Sequence, residues 1–120
     1  MIRLVIVDDM PDIRNYLAEE LAAASEQFSV VGAAEDGTEA VKLVDSLLPD
    51  VVLMDIQMKT RTEGIYAIRI IHERHPDIKC IALTIHEDDE LIFQAYLAGA
   101  ADYILKTRSI DTIKNSILAV

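Results

Sequence analysis

Three short apolar runs in this chain each end on charged residues. Leu4–Val7 runs into Asp8 and Asp9, Val51–Met54 into Asp55, and Tyr103–Leu105 into Lys106. In an open parallel sheet the carboxyl ends of neighbouring strands form the crevice in which ligands bind, so three carboxylates and one ammonium would meet there. Because like charges in one cleft repel each other, a divalent, oxygen-preferring cation is the simplest remedy. The spacing therefore predicts a Mg²⁺ site and makes Asp55 a candidate nucleophile.

A hydroxyl completes this set of groups. Thr84 ends a further apolar run, Ile81–Thr84, and can donate a hydrogen bond. The three carboxylates contribute about −3 and Lys106 about +1 at neutral pH, so one Mg²⁺ ion would bring the sum to zero. A carboxylate nucleophile, a metal ion, an ammonium and a hydroxyl are the parts needed to transfer a phosphoryl group to a carboxylate. Taken singly, an Asp after a strand more often caps a helix and a Lys there is more often solvated, but the coincidence of all four favours the functional interpretation.

An alternation of strands and helices, repeated five times, must position these residues. Five runs are almost continuously apolar, as expected of strands covered on both faces. They are Arg3–Val7, Ser29–Ala33, Val51–Met54, Cys80–Thr84 and Asp102–Leu105. Between and after them, apolar residues recur three and four apart, and each group predicts one buried helical stripe. The groups are Ile13, Leu17 and Leu21; Ala40, Val41, Val44, Leu47 and Leu48; Ile65, Ile68 and Ile71; Leu91, Ile92, Ala95 and Tyr96; and Ile110, Ile113, Ile117 and Leu118. The pattern predicts an α/β fold with a doubly wound parallel sheet and right-handed crossovers.

The composition excludes several classes of protein. The 120 residues are predicted to form one domain, over residues 1–120, that is large enough to bury a core. No apolar stretch approaches the roughly 20 residues that span a bilayer, and the amino terminus does not have the pattern of a secretory signal. The net charge of −10 argues against direct nucleic-acid binding, because neutralising phosphates needs clustered Lys and Arg. No membrane partner is expected, and any DNA binding would belong to another domain.

The cysteine usage and the last helical stretch carry two further expectations. The single cysteine, Cys80, excludes an internal disulfide and fits a reducing cytoplasm. Because Cys80 lies in a predicted strand, a small buried hydrophobe is favoured over a reactive thiol. The last helical stretch runs to Val120 without a stop signal, which favours a domain cut from a longer chain over a short natural protein.

Four signatures carry a resemblance to a known family. They are Val7-Asp8-Asp9, the segment Pro49-Asp50-Val51-Val52-Leu53-Met54-Asp55-Ile56, Leu83-Thr84, and the segment Gly99-Ala100-Ala101-Asp102-Tyr103-Ile104-Leu105-Lys106. Across essentially its whole length, the chain resembles a receiver domain of the two-component response regulators. The resemblance implies a five-stranded, flavodoxin-like fold whose Asp55 accepts a phosphoryl group from a sensor histidine kinase. Residues near Met10 and Ile85 are most similar to regulators that carry a LuxR-type helix-turn-helix effector, which this chain lacks.

The same resemblance implies a role for each site residue. Asp9, Asp55 and the backbone carbonyl of Gln57 would bind Mg²⁺ directly, and Asp8 would reach it through water. With Asp55 as phosphoacceptor, the other two catalytic residues would be Lys106, which would hold a phosphoryl oxygen, and Thr84, which would move to hydrogen-bond another. Tyr103 matches the family's switch aromatic, which turns inward when Thr84 moves; the alternative is an ordinary residue at the edge of a strand.

Three positions depart from the family pattern. The loop Met58–Gly64 lacks the usual proline, is one residue longer and carries Lys59 and Arg61. The bulky Ile85 replaces the small residue that commonly follows the switch threonine, and it is expected to narrow access to Asp55. Thr107 follows Lys106 where proline in a cis peptide is common, and a cis bond before a non-proline costs roughly 2.5–4 kcal/mol. A strained cis bond and a trans bond with local rearrangement both stay open at this point.

The leading interpretation is a phosphorylation switch that catalyses only its own phosphorylation and dephosphorylation. Its expected output is transcription, through phosphorylation-dependent homodimerisation or release of an attached effector. A Mg²⁺-dependent aspartyl-phosphate phosphatase is an alternative, but it needs a second Asp two residues after the nucleophile, where Gln57 or Met10 stands. A flavin- or nucleotide-binding module would need a phosphate loop after the first strand, and the acidic segment there is a poor host. A pseudo-receiver that acts only through protein interactions stays open.

Overall fold

The computed structural model describes residues 1–85 and 87–120. His86, which lies two residues past Thr84 and is a candidate from the sequence for shaping access to Asp55, is outside the described residues. Within the described residues, five strands alternate with five helices. They are β1 (Ile2–Val7), α1 (Pro11–Ala23), β2 (Phe28–Ala34), α2 (Gly37–Leu47), β3 (Val51–Asp55), α3 (Glu63–Arg74), β4 (Lys79–Thr84), α4 (Asp89–Ala98), β5 (Asp102–Leu105) and α5 (Ile110–Ala119). The five predicted strands are confirmed, and none begins or ends more than one residue from its predicted bound.

The strands form one parallel sheet in the order β2-β1-β3-β4-β5. This is the predicted doubly wound, flavodoxin-like arrangement, and its strand order reverses between β1 and β3. Val7 pairs with Met54, so Asp8 and Asp55 lie at the same level on neighbouring strands. Ligand crevices of open α/β sheets lie at such a reversal, outside the carboxyl ends of the strands.

Both faces of the sheet are covered, because successive strand residues point to opposite sides. On one face, Val5, Val7, Val52 and Met54 pack with the buried residues of α2, α3 and α4. On the other face, the intervening residues of the same strands pack with α1 and α5. β3 is therefore buried along its whole length, and β1 and β4 are buried from Leu4 and from Cys80 to their carboxyl ends.

Short polar side chains fix where several helices begin. Asp36 accepts a hydrogen bond from the backbone N–H of Glu39 at the start of α2, and Ser109 accepts one from Thr112 at the start of α5. Pro11 occupies the first position of α1, where its missing N–H has no intrahelical partner to lose. These caps hold each helix in register with the strand that precedes it.

The predicted helical stripes need three corrections, because Leu48, Tyr96 and Leu118 are exposed. Each follows directly after a residue that faces the core, and adjacent helical residues differ by about 100° in direction. Only one of each pair can therefore point at the sheet. Leu48 also lies beyond the end of α2, in a left-handed conformation that turns the chain. In the part of the chain that the structure describes, no helix has both the length and the apolar character needed to cross a membrane.

Candidate functional site

Three carboxylates meet at the carboxyl edge of the sheet, as the sequence predicts. One oxygen from each of Asp8, Asp9 and Asp55 lies within 4.8 Å of the other two. Asp8 is 0% and Asp55 is 2% exposed, whereas Asp9 is exposed. The crevice thus combines two buried acids with one acid that faces solvent.

Lys106 supplies the positive charge in this cluster. Its ammonium lies 2.6 Å from Oδ2 of Asp8 and 3.1 Å from Oδ2 of Asp55, and its side chain is only 10% exposed. The backbone N–H of Lys106 donates to the carbonyl of Thr84 at 2.7 Å, which places the lysine one residue past the end of β5. One ammonium therefore faces two buried carboxylates and cannot balance both.

Asp8 is held from several directions. Its Oδ1 accepts a hydrogen bond from the N–H of Met10 at 2.9 Å, and its own N–H donates to the carbonyl of Ala34 at 3.1 Å. The guanidinium of Arg14 donates to the carbonyl of Asp8 at 2.8 Å. Arg14 was not among the predicted site residues, although its position in the first turns of the helix after Asp8 could have indicated a contact with that residue.

Asp55 ends β3 with one oxygen anchored and the other available. Its Oδ1 accepts from the N–H of Gln57 at 3.2 Å. Its Oδ2 is buried and receives no hydrogen bond from the described residues, so the nearby ammonium of Lys106 acts on it as an ion-pair partner.

Burial dominates the ionisation of Asp55. The pKa of this carboxyl is raised to about 6: desolvation is the largest cause, the charge of Lys106 lowers the pKa, the charge of Asp8 raises it, and the Gln57 N–H lowers it. The net rise means that the surrounding residues do not fully compensate the charged form.

These residues fit a divalent cation. A hard cation prefers several oxygen ligands, and the cluster offers three carboxylates, one of them with a buried oxygen that lacks a hydrogen bond. A second acidic group, formed by Glu35, Asp36 and Glu39, also brings its oxygens together, but these side chains are at most partly buried. Among the described residues, the buried carboxylate oxygen that lacks a hydrogen bond belongs to Asp55, in the first cluster.

Thr84 and Tyr103 lie on neighbouring strands beside this cluster. Thr84 is fully buried at the end of β4, and Tyr103 is half-buried and packs against the core that contains Met54. Burial raises the pKa of Tyr103, a hydrogen bond with Thr84 lowers it, and the negative charges of Asp88 and Glu87 raise it. The two predicted switch residues are therefore already in contact with each other.

The loop between β3 and α3 contacts elements on both of its sides. Lys59 lies 3.9 Å from Asp36, and Arg61 forms a short ion pair with Asp88. These partners could not be read from the sequence, because Asp36 and Asp88 are distant from the loop along the chain. Ile85 is exposed, and its predicted effect on access to Asp55 stays a prediction. The described residues contain no cis peptide bond, so the bond between Lys106 and Thr107 is trans.

Gly64 was part of the predicted loop, but its role only becomes visible in the structure. It lies in the first turn of α3, and a Cβ placed there would lie 2.1 Å from the backbone oxygen of Asp55. Its N–H donates to the carbonyl of Ile56 at 3.2 Å. Only a residue without a side chain allows this close approach of α3 to the end of β3.

The arrangement combines the buried carboxylate of Asp55 with an exposed acid, Asp9, an ammonium beside it and a hydroxyl on the next strand. A carboxylate in this setting can attack an electrophilic phosphorus, and the ammonium can hold the oxygens of the transferred group. The site therefore has the groups for phosphoryl transfer to Asp55.

Comparisons with known proteins agree with this chemistry. The family model described as the response regulator receiver domain matches residues 4–118. The chain is 38% identical over 119 residues to the transcriptional regulatory protein DegU of Brevibacillus brevis, covering 99% of this chain and 50% of DegU. It is 40% identical over 119 residues to the transcriptional regulatory protein LiaR of Bacillus subtilis, covering 99% of this chain and 56% of LiaR. The chain thus spans about half the length of these relatives.

A solved structure supports the same assignment. The crystal structure of a DNA-binding response regulator of the LuxR family from Staphylococcus aureus superposes with a TM-score of 0.89 at 26% identity, over 99% of this chain and 98% of that one. The family match includes β1 from Leu4, the other four strands and the residues of the acidic crevice, and the predicted resemblance is confirmed. The chain belongs to the family of response regulator receiver domains of two-component systems.

Proposed function

We propose that this receiver domain is a Mg²⁺-dependent switch whose phosphoacceptor is Asp55 and whose phosphodonor is the phosphohistidine of a sensor histidine kinase. The observation that carries the proposal is the buried carboxylate of Asp55, which lies 3.1 Å from Lys106 and within 4.8 Å of two further acids. A structural aspartate has no need of such a costly arrangement, because burying like charges together opposes folding.

The transfer forms one bond and breaks one. An oxygen of ionised Asp55 attacks phosphorus, the bond between phosphorus and the donor's imidazole nitrogen breaks, and the electron pair stays on that nitrogen. Oδ2 is the favoured nucleophile, since Oδ1 accepts from Gln57. Lys106 then holds one phosphoryl oxygen and Thr84 donates to another.

Asp9, Asp55 and the carbonyl of Gln57 are the residues proposed to hold Mg²⁺, with Asp8 reached through water. When bound, the ion supplies positive charge that neutralises the carboxylates and the oxygens of the transferred group. Asp8 keeps Lys106 in place through the 2.6 Å contact between their side chains. Ionised Asp55 is the reactive form, and a bound cation would favour that form by lowering the pKa of Asp55 from the value of about 6 in the metal-free site.

The phosphoryl group would change the surface through Thr84 and Tyr103. The two side chains contact each other now, so a Thr84 hydroxyl that turns toward the phosphoryl group must leave this bond. The Tyr103 side chain can then become more deeply buried, which alters the surface formed by α4, β5 and α5. The proposed output is homodimerisation or release of an effector.

Transcription is the proposed end point, because the relatives DegU and LiaR are transcriptional regulatory proteins about twice as long as this chain. DNA binding would belong to an effector domain outside these 120 residues, since the net charge here is −10. A reducing cytoplasm suits the single free thiol, Cys80. The domain is proposed to catalyse only its own phosphorylation and dephosphorylation, because Gln57 and Met10 stand where a phosphatase needs a second acid.

The test is covalent modification by a small phosphodonor. The chain is incubated with acetyl phosphate, with Mg²⁺ or with EDTA, and intact mass is measured. A gain of one phosphoryl group only with Mg²⁺, lost in Asp55→Ala, is the expected result. Asp77→Asn is the matched control, since it removes an exposed carboxylate far from the site along the chain and should behave as the parent. No Mg²⁺-dependent adduct would leave only the protein-interaction interpretation, and an adduct that survives in Asp55→Ala would refute Asp55 as the phosphoacceptor.

A further inference from the structure

One side-chain pair connects the loop after the phosphoacceptor to the helix after the switch threonine. Arg61 lies in the loop between β3 and α3, and Asp88 directly precedes α4. Their side chains form an ion pair and are 60% and 30% exposed. The loop that holds Arg61 also contains Gln57, whose carbonyl is a proposed metal ligand. The pair therefore joins the loop that follows Asp55 to the start of the helix that follows Thr84.

Asp88 makes two kinds of contact at once. Its Oδ1 accepts from the N–H groups of Glu90 and Leu91 at 3.0 and 3.2 Å, which caps the first turn of α4. Its Oδ2 is the oxygen that faces Arg61. In a single rotamer, the Asp88 side chain thus both caps α4 and contacts Arg61. The ion pair therefore holds the start of α4 in place relative to the loop that carries Arg61.

The same carboxylate lies near the predicted switch. Asp88 is close enough to Tyr103 for its charge to raise the pKa of the phenol. Tyr103 in turn hydrogen-bonds Thr84, the residue four positions before Asp88 in the chain. Thr84 cannot move toward Asp55 without breaking its bond to Tyr103, the phenol that the charge of Asp88 reaches, and Arg61 holds Asp88 through the ion pair.

We propose that Arg61 is a positioning residue that latches the start of α4 through Asp88 and opposes the movement of Thr84 toward a phosphoryl group on Asp55. This inference rests on the proposed phosphorylation switch. A contact shifts an equilibrium between two conformations only by the difference in its free energy between them. The ion pair between Arg61 and Asp88 is present in the conformation in which Thr84 bonds Tyr103. Removing the ion pair should therefore lower the free energy needed for Thr84 to turn toward the phosphoryl group.

The size of the effect follows from exposure. An ion pair between partly exposed side chains changes an equilibrium by up to about fivefold, and salt screens it. The difference in phosphoryl-site affinity between the parent and a variant without the pair should therefore shrink as the ionic strength rises. A residue with a merely structural role would act in the opposite direction, because its loss would loosen the site and weaken binding.

Beryllofluoride with Mg²⁺ is the probe, and fluorine NMR of the bound fluorides gives its affinity. In Arg61→Gln the affinity at low salt is expected to rise about two- to fivefold over the parent. Arg61→Lys keeps the charge and should stay near the parent. Arg69→Gln is the matched control, because Arg69 is an exposed α3 cation that lies over the ring of Tyr66. Salt screens the binding of Mg²⁺ and beryllofluoride in every sample, so the ratio of the Arg61→Gln affinity to the parent affinity is the readout, and it should fall toward one at high salt.

An unchanged or weaker affinity in Arg61→Gln, or the same gain in Arg69→Gln, overturns the latch. The proposed function fails separately: in that case the parent itself binds no beryllofluoride at Asp55, and the latch falls with it. Saturable binding by the parent that is insensitive to Arg61 rejects the latch alone. Thermal unfolding of each variant shows that all samples compared are folded.

Discussion

Replacing Asp55 by Asn should stabilise the metal-free protein at neutral pH. Burial raises the pKa of Asp55 from 3.8 to about 6, so the folded state binds a proton more tightly than the unfolded chain. Asn is nearly isosteric with the protonated acid but never ionises. The variant therefore avoids the cost of a buried charge that the parent carries above this pKa.

The magnitude follows from the pKa shift. A rise of about two pKa units corresponds to about 3 kcal/mol, since one unit is 1.36 kcal/mol. Because the folded-state pKa is the higher one, the parent loses this stability as the pH rises from about 4 to about 6 and does not regain it above. We expect Asp55→Asn to be more stable than the parent by about 1–3 kcal/mol at pH 7 and nearly equal to it near pH 4.

The assay is urea unfolding in EDTA, followed by far-ultraviolet circular dichroism at a series of pH values. The difference in the free energy of unfolding between variant and parent isolates Asp55, because the other titrating groups are common to both. Asp77→Asn controls for the change in net charge and should track the parent at every pH. Mg²⁺ should narrow the gap, since a ligand that binds only the folded parent stabilises it.

A stability difference that stays flat between about pH 4 and pH 7 would refute this reasoning, since the linkage requires it to grow. An Asn variant less stable than the parent at neutral pH would refute it as well. Either result would mean that Lys106, 3.1 Å away, fully offsets the cost of the buried charge on Asp55, even though the same ammonium also contacts Asp8.

Three further outcomes are expected. Lys106→Met should lower the free energy of unfolding by at least about 2 kcal/mol in EDTA and abolish the phosphoryl adduct, because two buried carboxylates lose their shared cation. Urea unfolding measures the first effect and intact mass the second. An unchanged stability would contradict this prediction. Gly64→Ala should destabilise the fold by more than about 3 kcal/mol and weaken Mg²⁺ binding, since its Cβ would lie 2.1 Å from the backbone oxygen of Asp55. In Gly37→Ala the nearest contact is 3.3 Å, so this matched variant should stay within about 1 kcal/mol of the parent. Cys80 should resist thiol reagents in the folded protein and react fully in denaturant, because burial raises its pKa to about 12; rapid labelling of the native protein would count against this.

The sequence predicted most of the site because its residues follow directly from the strands. Buried strands of a parallel sheet are continuous apolar runs, so the first polar residue after each run marks the carboxyl edge. Asp8, Asp55, Thr84 and Lys106 are all of this kind, and the structure brings them together. The helical stripes were less well defined, because apolar periodicity does not show which of two adjacent residues, such as Ala95 and Tyr96, faces the sheet.

Contacts between distant segments could not be predicted in the same way. Arg14 reaches the backbone of Asp8, and Arg61 meets Asp88 across 27 residues of chain, only because the loops converge at one edge. Long, flexible cations have many partners within reach, and their choice depends on the loop conformation rather than on residue type.

By itself, the sequence determined the α/β architecture, the place of the crevice and the chemical groups in it, because hydrophobic periodicity and the types of the flanking residues are local properties. Only the tertiary structure decided how those groups interact. It buries Asp55, which raises the pKa of this carboxyl although the ammonium that Asp55 shares with Asp8 lowers it, and it already joins Thr84 to Tyr103. Desolvation and distance set both results, and neither exists until the strands lie side by side.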